Sequence, residues 1–163
     1  MMDSISEARL SLIAPSLAAK VRMLHDILEG EGIEIRVVQA LRSWTEQDAL
    51  YAQGRTAPGK IVTNCPGGHS YHNFGMAVDC VPSTQAPDQP YAPDWNSSHP
   101  VWKRMEEVGM SVGLVSGATW RTFPDAPHFQ LNGKFPVGAP DDEVRQTFKD
   151  GGMAAVWQEA GIV

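Results

Sequence analysis

The chain has 163 residues, enough for one compact domain with its own core and too few for a second catalytic domain. Its net charge of −6 argues against a nucleic-acid binder or a polybasic membrane anchor. No run approaches the length of a spanning helix, and Met1-Met2-Asp3-Ser4-Ile5-Ser6-Glu7 lacks the basic start and apolar centre of a signal peptide, so synthesis in the cytoplasm is expected.

Leu17, Val21, Leu24 and Leu28 recur at helical spacing and are followed by Gly30 and Gly32, which predicts a first core helix. Ile33, Ile35 and Val37 then alternate with Glu34 and Arg36, a strand whose end delivers Arg42 to the next turn. Ser43-Trp44-Thr45-Glu46 is a capping box that opens a helix ending before Gly54. From Arg55 to Gly68 the chain reads as loop, interrupted by a short strand at Ile61-Val62-Thr63. Gly75 marks a turn, after which Met76 to Val81 alternates, with Ala77 and Asp79 on one face and Val78 and Cys80 on the other.

Pro82, Pro87, Pro90, Pro93 and Pro100 exclude a continuous helix or central strand over 82–100. A long surface loop is expected there, either a wall of the substrate cleft or a tolerated insertion. Ser98 is expected to cap the next helix, with Pro100 in its first turn, Trp102, Met105 and Val108 on its buried side and Gly113 at its end. His128 to Leu131 alternates again, placing His128 and Gln130 on the cleft side and Phe129 and Leu131 in the core. Pro140-Asp141-Asp142-Glu143 resembles a helix opening, and Met153 to Trp157 offers a further short helical segment. The order is α+β, a single domain with no internal repeat, and the segment 133–163 is expected to pack on a core formed by 1–132 or, alternatively, to serve a small targeting role.

The chemistry concentrates in Ser70-Tyr71-His72-Asn73-Phe74-Gly75-Met76-Ala77-Val78-Asp79 and in Asp125-Ala126-Pro127-His128. His72, Asp79 and His128 offer two imidazoles and a carboxylate, a donor set that suits one Zn²⁺ per chain and leaves a fourth position open. Asp125, three residues before a histidine of the set, is left to handle protons or to cap a turn. Arg42, permanently charged, is a candidate to stabilise a developing oxyanion, with a strand-end salt bridge as its alternative. Ser70 either orients substrate by hydrogen bonding or caps its loop, and no nucleophile elbow surrounds it. His69 is an alternative ligand or a loop residue, and His69, His25 and His99 receive no metal role. Cys65 and Cys80 lack Cys-x-x-Cys spacing and read as buried free thiols.

These blocks, with Gln39-Ala40-Leu41-Arg42-Ser43, Glu46-Gln47, Leu50 to Arg55 and Trp120, resemble the zinc peptidases that include D-alanyl-D-alanine carboxypeptidases, D-Ala-D-Ala dipeptidases and phage L-alanyl-D-glutamate endopeptidases, the endolysin branch in particular. Val115-Ser116-Gly117 departs from the Trp-Gly-Gly-like turn common at that point. The resemblance spans roughly residues 5 to 132 and implies a hedgehog/DD-peptidase type of domain, a small antiparallel sheet with flanking helices. It implies hydrolysis of peptidoglycan stem peptides, most simply between L-Ala and D-Glu, by a monomer that neither binds nucleic acid nor inserts in a membrane and reaches the wall after release by an agent such as a holin. D-Ala-D-Ala cleavage and a non-catalytic, metal-stabilised wall-binding module are the alternatives. It also suggests Ser70, Gln47, Arg55 and Trp120 as substrate-binding residues, although a helix-surface contact and a loop salt bridge explain Gln47 and Arg55 equally well.

Overall fold

A computed structural model of the protein describes residues 1–85 and 89–163. The first helix, α1 (Ser4–Leu10), has no counterpart in the sequence reading. Asp3 caps it by accepting from Ile5 N and Ser6 N, and the buried Ser6 hydroxyl accepts from Val37 N, tying the helix to the first strand. Helix α2 (Pro15–Gly30) follows, with Leu17, Val21, Leu24 and Leu28 all fully buried as the spacing predicts. Strand β1 (Ile35–Gln39) leads into α3 (Trp44–Ala52), where Ser43 and Glu46 form both halves of the capping box.

Four strands form one antiparallel sheet in the order β1-β2-β4-β3, with β2 (Ala77–Pro82), β3 (Val115–Ser116) and β4 (His128–Gln130). A bulge between Val37 and Gln39 sets Gln39 opposite Asp79, and on the other side of β2 Asp79 lies opposite His128 and Ala77 opposite Gln130. Directly opposed residues on neighbouring strands project from the same face, so this register alone puts Asp79 beside His128. Val78, Cys80 and Phe129 occupy the opposite face and are completely buried in the core. Asp79 is reached from a short 3-10 helix, Tyr71–Phe74, which ends at Gly75 in the left-handed region (φ 63°), a conformation that glycine adopts without the Cβ clash of other residues. The turn predicted at Gly75 is therefore present, and the 3-10 helix before it is an addition.

Three expectations are corrected. Ile61-Val62-Thr63 forms no strand. Its two apolar residues are each 48% exposed, and Arg55 Nη1 donates to Thr63 O at 3.0 Å, so side chains rather than a neighbouring strand engage the segment. None of the described residues of the loop after β2 lines the cleft. Ser83 N donates to Glu34 O, Asp94 N to Pro82 O, Tyr91 Oη to Val81 O and Trp102 Nε1 to Asp94 O, which fastens the described part of the loop to the far end of β1 and β2. Pro82 lies three residues beyond Asp79, about 10 Å of extended chain leading away from the site. Pro87 of that loop lies outside the described residues. Finally, His99 rather than Ser98 caps α4 (Pro100–Ser111), its Nδ1 accepting from Val101 N at 3.3 Å.

Helix α4 buries Trp102, Met105 and Val108 as expected. The last helix, α5 (Asp142–Ala160), opens on an Asp141 cap and is broken at Gly152, which divides it into the two helical segments read from sequence. Trp157 Nε1 donates to Phe74 O at 2.7 Å, Phe148 stacks on Trp44, and Val144, Val156, Ala160 and Ile162 are buried, so this end of the chain rests on the 3-10 helix and the core.

Candidate metal centre

Each histidine of the candidate site is held at its outer nitrogen and turned inward at the other. His72 Nδ1 lies 2.8 Å from Ala40 O, an atom that only accepts, so the ring proton sits on Nδ1 and Nε2 keeps its lone pair. Nε2 is 3.2 Å from Asp79 Oδ1 and 3.2 Å from His128 Nδ1, and His128 Nδ1 is 3.5 Å from the same Asp79 oxygen. Zinc bonds of about 2.0–2.2 Å at tetrahedral angles place neighbouring ligand atoms roughly 3.3–3.5 Å apart. The triangle has that size, its donors are two nitrogens and an oxygen, and its histidines are almost wholly buried. The residues present therefore fit a zinc ion.

The electrostatics agree with the packing. Burial by itself would raise the Asp79 pKa, but His72 and His128 beside it outweigh that effect and hold the carboxyl well below the usual range. Burial works to lower His128, and contact with Asp79 reverses the sign, so its pKa is raised. Asp125 goes the other way from Asp79: burial, then the negative charge of Asp79, pushes its pKa up.

Asp125 reaches the cleft on a tight turn. Its N–H donates to Gly117 O at 3.0 Å, and its own carbonyl accepts from His128 N at 3.1 Å, so Asp125 and His128 are fixed relative to each other through backbone. Gly117 permits this approach, because a Cβ there would stand 2.6 Å from Asp125 O and 2.9 Å from His128 Cβ. The departure from a Trp-Gly-Gly-like turn thus retains the one glycine that the packing requires.

The donors open into a cleft of about 540 Å³ lined by Arg42, Ser70, His72, Asp79, Trp120, Asp125 and His128, among others. Arg42 N donates to His72 O and Asn73 Nδ2 donates to Arg42 O, which clamps the arginine to the 3-10 helix, while its Nη2 lies 3.6 Å from Asp79 Oδ2. Trp120 packs on His128 at 4.9 Å between ring centroids, and its buried Nε1 has no hydrogen-bond partner among the described residues. Ser70 lines the cleft and also caps the 3-10 helix, with its hydroxyl accepting from His72 N at 3.4 Å.

Gln47 and Arg55 are placed differently from the other sequence candidates. Gln47 is fully buried beneath the cleft, accepting from Arg42 Nη1 at 2.8 Å and donating to Cys65 O at 2.8 Å, so it touches Arg42 and not the open space. Arg55 is exposed outside the cleft lining and binds Tyr51 O, Thr63 O and Asn64 Oδ1. His69 lines the cleft, with its Nδ1 turned to Arg145 Nη1 at 3.2 Å. Cys80 is buried and Cys65 half-buried at the cleft, and burial pushes both thiols up.

Sequence reasoning missed Asn73, whose Oδ1 accepts from Gly68 N and Ser70 N and whose amide nitrogen holds Arg42. Its position three residues after a capping serine was a readable signal. The Ala40 carbonyl leaves no such trace, since a backbone acceptor has no residue type.

A small antiparallel sheet presenting this donor triangle is the architecture of a zinc-dependent peptidase fold. The solved structure of the vancomycin-resistance D,D-pentapeptidase VanY, in complex with Zn(II), is similar in fold, with a TM-score of 0.52 at 15% identity, covering 88% of this chain and 83% of that one. The chain belongs to the VanY family, described as D-alanyl-D-alanine carboxypeptidase, which it matches over residues 11–123. That match contains His72 and Asp79 and stops short of Asp125 and His128. Among curated relatives, the peptidoglycan L-alanyl-D-glutamate endopeptidase CwlK of Bacillus subtilis (strain 168) is 36% identical over 105 residues, 62% of each chain. The L-alanyl-D-glutamate peptidase of Listeria phage A118 is 28% identical over 132 residues, 80% of this chain and 42% of that protein. The chain thus spans less than two thirds of the length of either relative.

Proposed function

We propose that this protein is a zinc-dependent endopeptidase that hydrolyses peptidoglycan stem peptides at the L-Ala–D-Glu amide. The observation that carries the reading is the convergence of His72, Asp79 and His128 on one point with a separate carboxyl, Asp125, in the same cleft. The choice of bond rests on the activities named for the two curated relatives. Residues 1–132 would carry the catalytic groups. No helix among the described residues is long and apolar enough to cross a membrane, and action on the wall after release accords with that.

In this reading His72, Asp79 and His128 are the ligands, and zinc held by them supplies Lewis acidity that polarises a carbonyl and acidifies water. Asp125 takes the proton of the attacking water and passes it to the leaving amine nitrogen, a role suited to a carboxyl whose proton affinity is raised by burial and by the charge of Asp79. Arg42 donates to the scissile carbonyl oxygen as negative charge builds on it, and it stays protonated throughout. Trp120 and Ser70 border the space for the substrate chain.

Gln47 acts through Arg42 in this mechanism. Gln47→Leu is expected to lower kcat by up to about 100-fold, the scale of a misplaced catalytic group, while zinc content stays at one per chain. Metal analysis beside steady-state kinetics checks this, and unchanged kcat in a folded variant would reduce Gln47 to a packing role.

The reading as a whole is tested by digesting purified muropeptides with zinc-loaded protein and identifying new termini by mass spectrometry. A new D-Glu amino terminus is expected, with free D-Ala-D-Ala left intact. Release of terminal D-Ala without a cut before D-Glu would instead assign the D-alanyl-D-alanine activity in the family's description.

A further inference from the structure

The two ends of a glutamine amide are alike in shape and differ only in what they can bond. Gln130 is 1% exposed, so its partners are protein atoms, and they are of unlike kind. On one side stands Val137 O at 2.8 Å, which can only accept and therefore demands the NH₂ end. The carbonyl end is thereby turned to His128 Nε2 at 3.0 Å, where it too can only accept. A neutral imidazole carries one proton, and this contact holds it on Nε2. Nδ1, the atom facing His72 and Asp79, is left with its lone pair.

We infer that Gln130 is a positioning residue through which the backbone carbonyl of Val137 sets the tautomer of His128, making the segment around Pro136 and Val137 a working part of the metal centre. The neighbouring carbonyl supports this. Tyr71, the residue before His72, is buried and donates its hydroxyl to Pro136 O at 2.5 Å. Asn132 Nδ2 in turn holds Phe135 O at 2.5 Å, and Phe135 is itself buried, which ties the chain to the core immediately before Pro136. Both histidine-bearing elements thus grip adjacent carbonyls of one stretch that lies beyond the family match. His72 has the same arrangement in simpler form, since Ala40 O fixes its tautomer directly. An outer partner that orients a ligating histidine typically governs metal affinity by about 10- to 100-fold.

The inference rests on the proposed zinc site but not on the bond cleaved. It is tested by Gln130→Met, which removes both contacts at similar volume, and Gln130→Glu, which keeps an acceptor for Nε2–H. Long-range ¹H–¹⁵N NMR of the metal-free protein, at a pH above the histidine range, reads which ring nitrogen of His128 is protonated. Competition with a chromophoric chelator reads zinc affinity, and circular dichroism checks the fold. The wild type is expected to show the Nε2–H tautomer. Gln130→Met should show a mixture and bind zinc about 10- to 100-fold more weakly, and Gln130→Glu should recover the Nε2–H form. An Nδ1–H ring in the wild type, or unchanged zinc affinity in a folded Gln130→Met, would overturn the inference. Should Gln130→Met not fold, the tautomers of the wild type and Gln130→Glu decide. A wild type that shows Nε2–H yet binds no zinc would instead refute the proposed metal site.

Discussion

Replacing His72, Asp79 or His128 by Ala is expected to remove zinc and hydrolysis together. Each supplies one of three donors spaced 3.2–3.5 Å apart, and no other His, Cys, Asp or Glu among the described residues joins that group. His69, although in the cleft, is engaged by Arg145 and is not a substitute. Full zinc occupancy in all three variants would sink the assignment. The loss should also be visible in stability, because an ion that binds only the folded chain stabilises it by about 2.7 kcal/mol at 100-fold excess over Kd. Thermal unfolding with and without a chelator should therefore differ for the wild type and coincide for the variants. Acidification should have the same effect with a defined sign. Asp79 is held ionised below the ordinary carboxylate range and contact with it raises the pKa of His128, so zinc is bound at higher pH and lost as pH falls and His128 gains its proton. Occupancy independent of pH would contradict this.

Asp125→Ala is expected to keep its zinc and lose on the order of 10²- to 10⁴-fold in rate. The carboxyl belongs to the cleft but not to the donor triangle, and its turn is held by backbone bonds to Gly117 and His128 that an alanine preserves. Burial and the charge of Asp79 raise its pKa, so its ionised, proton-accepting form grows as pH rises through that value. The kcat/KM profile of the wild type should accordingly climb on its acid side, and the variant should lack that limb. Near-normal turnover at full zinc occupancy would return Asp125 to the role of a turn cap.

Local signals proved legible where neighbours in sequence do the work. The leucine spacing in α2, the Ser43–Glu46 box and the turn at Gly75 all depend on contacts within a few residues, and each is present. Ile61-Val62-Thr63 has the same alternating, β-branched look and makes no strand, because alternation says nothing about whether a partner edge is free. For the loop after β2, the cleft-wall alternative fails for a related reason. Proximity to Asp79 in sequence suggested proximity to the cleft, whereas an extended strand carries the chain steadily away from the site. Gln47 shows the converse: its neighbourhood in sequence is that of Arg42, and the fold buries it under the arginine, outside the cleft lining.

By itself the sequence determined the donor types, the α+β order and the family resemblance, since these are properties of residue identity and short spacing. Tertiary structure decided which atoms of those donors meet. The register that sets Asp79 opposite His128 and the Ala40 carbonyl that turns His72 join parts of the chain far apart in sequence, and the Gln130–Val137 contact that turns His128 depends on how the backbone folds back after β4. A metal centre needs lone pairs aimed at one point, and aim is a matter of strand register and hydrogen-bonded ring orientation, neither of which residue type encodes.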